Sequence, residues 1–289
     1  MAIKVAAWNI EGRLSRFAEK GRRGSPEQIV EAIDRLKSDI IVFPEAFDGV
    51  NPIEPGVQQQ LDSLGYTCIA VAYDERGDRQ YQAVAEPHML LLTKLEIAQF
   101  EKRRLGDTRT IIVANVVEPE TRQVIQVFGV HLDDRSEANR LKQVGDLVKQ
   151  VADSPFPVIV MGDFNAMHGN DLRAKLLRSS VARLAIDNVP HAGVRDTLQR
   201  LSGMAIGDTM RRLEQSTSLR DGDEKRRATT TPRMRGQEWM PSIRMVQIDH
   251  IMVSPELVVK GFEVGADAGS DHRSVTAFIT TRQSMPPVL

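Results

Sequence analysis

Cysteine is almost missing from this chain: Cys68 stands alone among 289 residues, so no disulfide can close within it. Cys68 falls in the apolar run 66–72, where a buried, inert thiol is expected rather than a nucleophile. An excess of charge is missing too. Lys and Arg number 38 against 39 Asp and Glu, a net charge of -1, which excludes a protein held on nucleic acid by bulk charge alone and leaves local patches open. There is no apolar run long enough to cross a bilayer. The start, Met1-Ala2-Ile3-Lys4-Val5, runs straight into a strand with no signal-like segment, so a cytoplasmic protein is expected. Internal repeats are absent, and no linker separates two cores.

What is present is ordinary globular material: 41% hydrophobic and 27% charged residues, enough to bury a substantial core. Short Val- and Ile-rich runs with polar, Pro or Gly breaks predict strands at 3–8, 39–43, 67–72, 88–93, 110–117, 124–130, 158–161, 246–253, 258–264 and 274–279. Ser25-Pro26-Glu27-Gln28 reads as a helix start, with Ser25 as N-cap, Pro26 at the first helical position and Gln28 closing a capping box. Ile29, Val30, Ile33 and Leu36 then give that helix one apolar face. Further helices are expected at 136–152 and 171–177. Between about 211 and 244, nine Arg and Lys meet five Asp and Glu without clear periodicity, which reads as a long surface loop. The expectation is one domain over 1–289 carrying that basic insertion, built as a layered α/β sandwich.

Six polar constellations each close a strand-like run: Trp8-Asn9-Ile10-Glu11, Pro44-Glu45, Val130-His131-Leu132, Gly162-Asp163-Phe164-Asn165, Gln247-Ile248-Asp249-His250 and Ser270-Asp271-His272-Arg273. Strand ends on a rigid sheet are where enzymes place working groups. The chemistry is uniform, with carboxylates, carboxamides and imidazoles and no thiol. That set suits a hard divalent cation and a phosphate ester. Each motif also has a plain reading: Asn9 can open a turn, Glu45 can be a solvated loop acid, and Gly-Asp-Phe-Asn can be a turn. Against the last, Asp163 and Asn165 are two residues apart and leave a strand on the same side.

In this order, across residues 5–279, the motifs resemble the endonuclease/exonuclease/phosphatase family, which includes deoxyribonuclease I, exonuclease III-type abasic-site endonucleases, neutral sphingomyelinases and inositol-polyphosphate 5-phosphatases. The resemblance implies a four-layered α/β (α+β) sandwich, two central and mostly antiparallel sheets flanked by helices, with metal-dependent cleavage of a P–O bond at one edge. It implies metal ligation by Asn9, Glu45 and Asp271, with Mg2+ as cofactor and Mn2+ able to substitute. Asp163 would orient and deprotonate the attacking water, and Asn165 would donate to a phosphoryl oxygen. Asp249 would hold one imidazole nitrogen of His272 and favour the charged ring, which then donates to phosphate. His131 would be a further donor to phosphate or leaving group. A second ion on Asp163, Asn165 and Asn9 stays open, as does the part of Glu11. His88, His191 and His250 receive no role; His168, three residues past Asn165, is the exception to watch.

The substrate is read from charge. Arg13, Arg16, Lys20, Arg22 and Arg23 follow the first strand, and Arg226, Arg227, Arg233, Arg235 and Arg244 precede Asp249. Set at the site edge they would grip a phosphate backbone, with Arg226, Arg227, Arg233 and Arg235 as substrate-binding residues and nucleic acid as the substrate. Ordinary surface charge is the plain alternative. Where many abasic-site relatives have a Trp just before the Asp249 motif, Ile243-Arg244-Met245-Val246 stands instead, and in that insertion only Trp239 offers a stacking ring. The competing reading is a phosphatase or phosphodiesterase for a small phosphorylated metabolite or lipid head group. A monomer is expected.

Overall fold

β1 (Ile3–Ala7) sends Val5 and Ala7 to one face and Ala6 to the other, and the two faces enter different cores. The same division organises the whole molecule. The computed structural model describes residues 2–11, 14, 25–48, 53, 55–71, 87–107, 109–230, 246–266 and 270–282. After β1 come α1 (Pro26–Leu36), β2 (Ile40–Asp48), α2 (Pro55–Ser63), β3 (Thr67–Val71), β4 (Pro87–Thr93), β5 (Glu96–Leu105), β6 (Arg109–Val117) and β7 (Val124–His131). The second half runs α3 (Glu137–Ala152), β8 (Val158–Asp163), α4 (Leu172–Arg178), α5 (Ser180–Asp187), α6 (Ala192–Met204), α7 (Asp208–Ser216), β9 (Arg220–Asp221), β10 (Asp249–Val253), β11 (Leu257–Val264) and β12 (Val275–Thr281).

The strands form two six-stranded sheets, ordered β11-β12-β1-β2-β4-β3 and β5-β6-β7-β8-β10-β9. Within the named strands, only β1–β2 and β7–β8 pair in parallel. Val5, Val42 and Leu91 of the first sheet pack on Ile112, Val127, Ile159 and Ile251 of the second, which makes the central core. Ala6, Ile41, Phe43 and Leu90 face outward under Ile29 and Ile33 of α1 and Val57 and Leu61 of α2. On the other side Val113, Phe128, Val158 and Val160 lie under Val144 and Leu147 of α3 and Met210 and Leu213 of α7. Helices, sheet, sheet, helices: the four-layered sandwich is present.

The foreseen capping box opens α1, Gln28 N donating to Ser25 Oγ and Ser25 N to Gln28 Oε1. Three features depart from the sequence expectation. β5 was not foreseen because its charged, exposed alternation is what an edge strand needs against unwanted pairing. The helices α2, α5 and α6 were also missed, each short or only weakly patterned. The basic stretch begun at 211 is no continuous loop: α7 runs to Ser216, held by Met210 and Leu213 on α3 and by Thr209 donating to Glu137, and β9 then pairs with β10. Two apolar residues in a nine-residue, charge-rich helix leave too thin a stripe for periodicity to register. Arg13, Arg16, Lys20, Arg22, Arg23, Arg233, Arg235, Trp239 and Arg244 lie outside the described residues.

Candidate active site

The period of two that builds the central core also delivers the polar groups. Along β8, Ile159 and Met161 point between the sheets, so Asp163 at the strand's end points there too. Val127 on β7 sets the same parity for His131, and Ile251 and Val253 on β10 set it for Asp249. Register then aligns the three, His131 opposite Asp163 in the parallel pair and Asp249 opposite Asp163 in the antiparallel one. The other sheet adds Asn9 just past β1, Glu45 from β2, and Asp271 and His272 just before β12. β2 carries Pro44, which has no N–H for the ladder, and its register with β4 shifts between Phe43 and Phe47 around Glu45.

Hydrogen bonds tie the two halves together. Asn9 Nδ2 donates to Asp163 Oδ2 at 3.1 Å, while Asn9 Oδ1 accepts from Glu11 N at 3.0 Å. Ser270 Oγ donates to Asn9 O at 2.7 Å and accepts from His272 N at 3.1 Å. The Trp8 indole donates to His272 O. Thr229, which the sequence reading did not single out, accepts on Oγ1 from the backbone N–H groups of Ile248 and Asp249. A threonine remote in sequence carries no signal for that task.

His272 is the pivot. Its Nδ1 lies 2.9 Å from Asp249 Oδ2 and 3.1 Å from Oδ1, and its Nε2 lies 3.7 Å from Asp163 Oδ2 and 3.8 Å from Asp271 Oδ1. Burial disfavours the charged ring, but Asp249, Asp163 and Asp271 outweigh it and hold the His272 pKa well above the ordinary value. His131 goes the other way. Burial, with Arg109 and His272 as positive neighbours, drives its pKa well down, so it is a neutral ring, with Nε2 3.3 Å from Glu45 Oε1.

The carboxylates are pushed toward protonation. Burial and the Asp163 charge raise Glu45 to about 7. Burial raises Asp163 to about 6 even though His272 pulls the other way, and the same balance, with Glu11 adding to the rise, puts Asp271 at about 6. Glu11 therefore sits against Asp271 and belongs to the acidic group. Asn165, at φ 47, turns the chain back so that its N–H reaches Asp163 Oδ1 at 2.9 Å and its Nδ2 reaches Leu132 O at 3.0 Å. One amide hydrogen is thus spent on the backbone and one is left for a ligand. Among the described residues, Asp163, Asp249 and His272 have ligand atoms within 4.8 Å of one another, an arrangement that can hold a metal ion. The buried carboxylates of Glu45, Asp163 and Asp271 supply the hard oxygen donors that a divalent cation takes.

Two expected substrate-binding arginines are engaged within the chain. Arg226 Nη1 lies 2.9 Å from Asp221 Oδ2, and Arg227 is clamped to Asp223, 2.8 Å away, with a further donation to Phe262 O. His168 and His250, the latter from the Gln247-Ile248-Asp249-His250 motif, meet at Asp221.

The model of the Endonuclease/Exonuclease/phosphatase family matches residues 6–272. Solved structures similar to the chain include a 3' phosphatase, NExo, from Neisseria bound to product DNA hairpin (16% identity, 96% of this chain and 98% of that one, TM-score 0.62). The human Nocturnin catalytic domain with bound sulfate is similar at 18% identity, covering 97% and 95%, TM-score 0.62. A mannosyl-6-phosphatase from Bacteroides thetaiotaomicron is similar at 16% identity, covering 96% and 99%, TM-score 0.60. No curated protein matches the chain by sequence.

Proposed function

Because the chain belongs to the endonuclease/exonuclease/phosphatase family, whose members hydrolyse phosphoesters, we propose that it cleaves nucleic-acid phosphodiesters with Mg2+, by in-line attack of water. The observation that carries this reading is the His272 ring, fixed through Nδ1 by Asp249 with Nε2 facing the Asp163 carboxylate. Asp163 loses its proton at about 6, so at neutral pH it accepts one from water. The charged His272 donates from Nε2 to a phosphoryl oxygen and stabilises the charge that grows there. Asn9 holds Asp163 in place through Nδ2, and neutral His131 offers its ring to the phosphate or leaving group. Glu45, Asp271 and Asn9 would hold the ion, which supplies Lewis-acid stabilisation of the leaving oxygen; Mn2+ would substitute.

Nucleic acid is favoured by where the basic segments are anchored. Thr230 bridges to His272, and Thr229 N and Thr230 N both donate to Val246 O, so the described residues on either side of 231–245 lie beside the site. That segment carries Arg233, Arg235 and Arg244 against Glu238, with Trp239. The 12–24 segment follows Glu11 directly and carries Arg13, Arg16, Lys20, Arg22 and Arg23 against Glu19. Such groups suit a phosphate backbone. A second reading, a phosphatase for a small phosphorylated metabolite, gains from the capture of Arg226 and Arg227 by carboxylates of the chain itself. A panel of labelled oligonucleotides, sugar phosphates, inositol phosphates and sphingomyelin decides between them. We expect salt-sensitive, Mg2+-dependent cleavage of oligonucleotides, and a flatter salt dependence in an R233Q/R235Q variant. Turnover confined to one small ester would replace the nuclease with the metabolite phosphatase.

A further inference from the structure

Behind Phe164, whose ring meets His250 edge-on at 5.3 Å, lies a second cluster that the phosphoester chemistry does not use. Asp221 Oδ2 is 2.8 Å from His168 Nε2, 2.6 Å from His250 Nδ1 and 2.9 Å from Arg226 Nη1, which also lies 2.5 Å from His168 Nε2, while Asp221 Oδ1 accepts from Asp223 N. Both imidazoles also have a partner at the far nitrogen: His168 Nδ1 lies 3.3 Å from Glu214 Oε1, and His250 Nε2 lies 3.0 Å from Ala166 O. The side chains of His168, Asp221 and His250 are 3%, 1% and 0% exposed; that of Arg226 is 24% exposed and forms the open side.

Hydrogen bonding alone satisfies this arrangement in one protonation pattern, with His250 carrying both protons and His168 neutral, its Nε2 lone pair turned to Arg226 Nη1. A ring that donates its far N–H to an acceptor presents a lone pair at the near nitrogen unless it carries both protons, which makes it a cation. Two neutral rings would set lone pairs against a carboxylate oxygen. Two charged rings and a guanidinium would set three positive charges on one buried oxygen that has two lone pairs. A divalent ion is the alternative to Arg226 in that place, taking the two ring lone pairs and the carboxylate at once. The far-nitrogen partners are then the ones that metal-bound histidines have, a carboxylate on one ring and a backbone carbonyl on the other.

The geometry points to His168, Asp221 and His250 as a second metal site, separate from the phosphoester site, which takes a transition ion of the zinc type as Arg226 swings outward. Two nitrogens and one carboxylate select such an ion over Mg2+, which prefers oxygen. Binding at about 2.0–2.2 Å spreads the donors by roughly half an ångström from their present spacing. Water fills the place Arg226 leaves. The ion ties β9 to the Ala166 carbonyl, one residue beyond Asn165, and so braces the turn that carries Asp163 and Asn165.

The test uses the full chain, stripped of metal and titrated with Co2+, whose four-coordinate nitrogen-containing sites absorb visible light far more strongly than oxygen-rich octahedral ones. We expect one strongly absorbing Co2+ per chain, displaced by Zn2+ and untouched by excess Mg2+. Glu45→Ala, in the other site, keeps the band; His168→Ala and His250→Ala lose it. Glu214→Gln alters only a far-nitrogen partner and weakens binding by about 10–100-fold, whereas Arg226→Ala removes the competing cation and tightens it several-fold. Absence of the band in the unmodified chain, which needs no variant to fold, shows a hydrogen-bonded network with Arg226 as its resident cation and overturns the proposal. Survival of the band in both histidine variants overturns it too.

Discussion

Asp249 acts through another residue: it touches His272 Nδ1 with both carboxylate oxygens and faces no open space of its own, being fully buried. Asp249→Asn therefore removes the charge that keeps His272 protonated. We expect lower turnover and an alkaline limb of the pH–rate profile moved to lower pH, read from steady-state rates across pH. Asp163→Asn and His272→Ala strike the reacting groups themselves and are expected to lower kcat by about 10²–10⁴-fold with unchanged circular dichroism. Glu45→Ala instead raises the metal concentration needed for half-maximal rate. Wild-type turnover in the Asp163 or His272 variant would contradict the roles assigned. At this scale the sequence was informative where function demands a rare combination, such as Asp-Phe-Asn at a strand exit or Asp-His before the last strand. It was silent on Thr229, Ser270's double hydrogen bond and Asp221, because a common residue engaged by a distant partner has no local signature.

Gly162 shows what the elements demand. It sits in β8 at φ 145, and a Cβ there would lie 2.0 Å from Val130 O on the neighbouring parallel strand, the one that presents His131. Gly162→Ala must push β7 and β8 apart where His131 and Asp163 stand abreast. The expected cost is about 2 kcal/mol or more, measured by denaturant unfolding, with turnover lost in parallel. Unchanged stability would mean that the strands do not approach as described. The buried strands were legible because both faces meet apolar layers, and α1 because Ser25 and Gln28 form their box locally. β5, at an edge with charges outward, and α7, with two buried apolar residues, owe their form to neighbours that no window of sequence contains.

For the whole molecule, the decisive quantity is the charge trapped between the sheets. Glu45, at about 7, and Asp163 and Asp271, at about 6, have pKa values above those of an unfolded chain. Groups raised in this way contribute stability that is fully present below their unfolded values near 4, and it is lost as pH rises through the folded ones. These three acids should therefore lower the Tm of metal-free protein between about pH 4 and 7, offset in part by His131, whose depressed pKa adds stability as pH rises toward 6.5. The Tm gain on adding Mg2+ should grow over the same window, because the ion binds the ionised acids; scanning fluorimetry across pH checks both, and a Mg2+ effect independent of pH would contradict the donor set. The layered architecture was foreseeable from alternation and motif order. The path of the basic stretch was not, since Arg226 and Arg227 turn back onto Asp221 and Asp223. The most direct test of the central claim is the hydrolysis rate of bis(p-nitrophenyl) phosphate by the unmodified chain before chelation, after exhaustive chelation, and after Mg2+ or Mn2+ is restored. The account predicts turnover that vanishes on chelation and returns with either ion; turnover that survives chelation would contradict it.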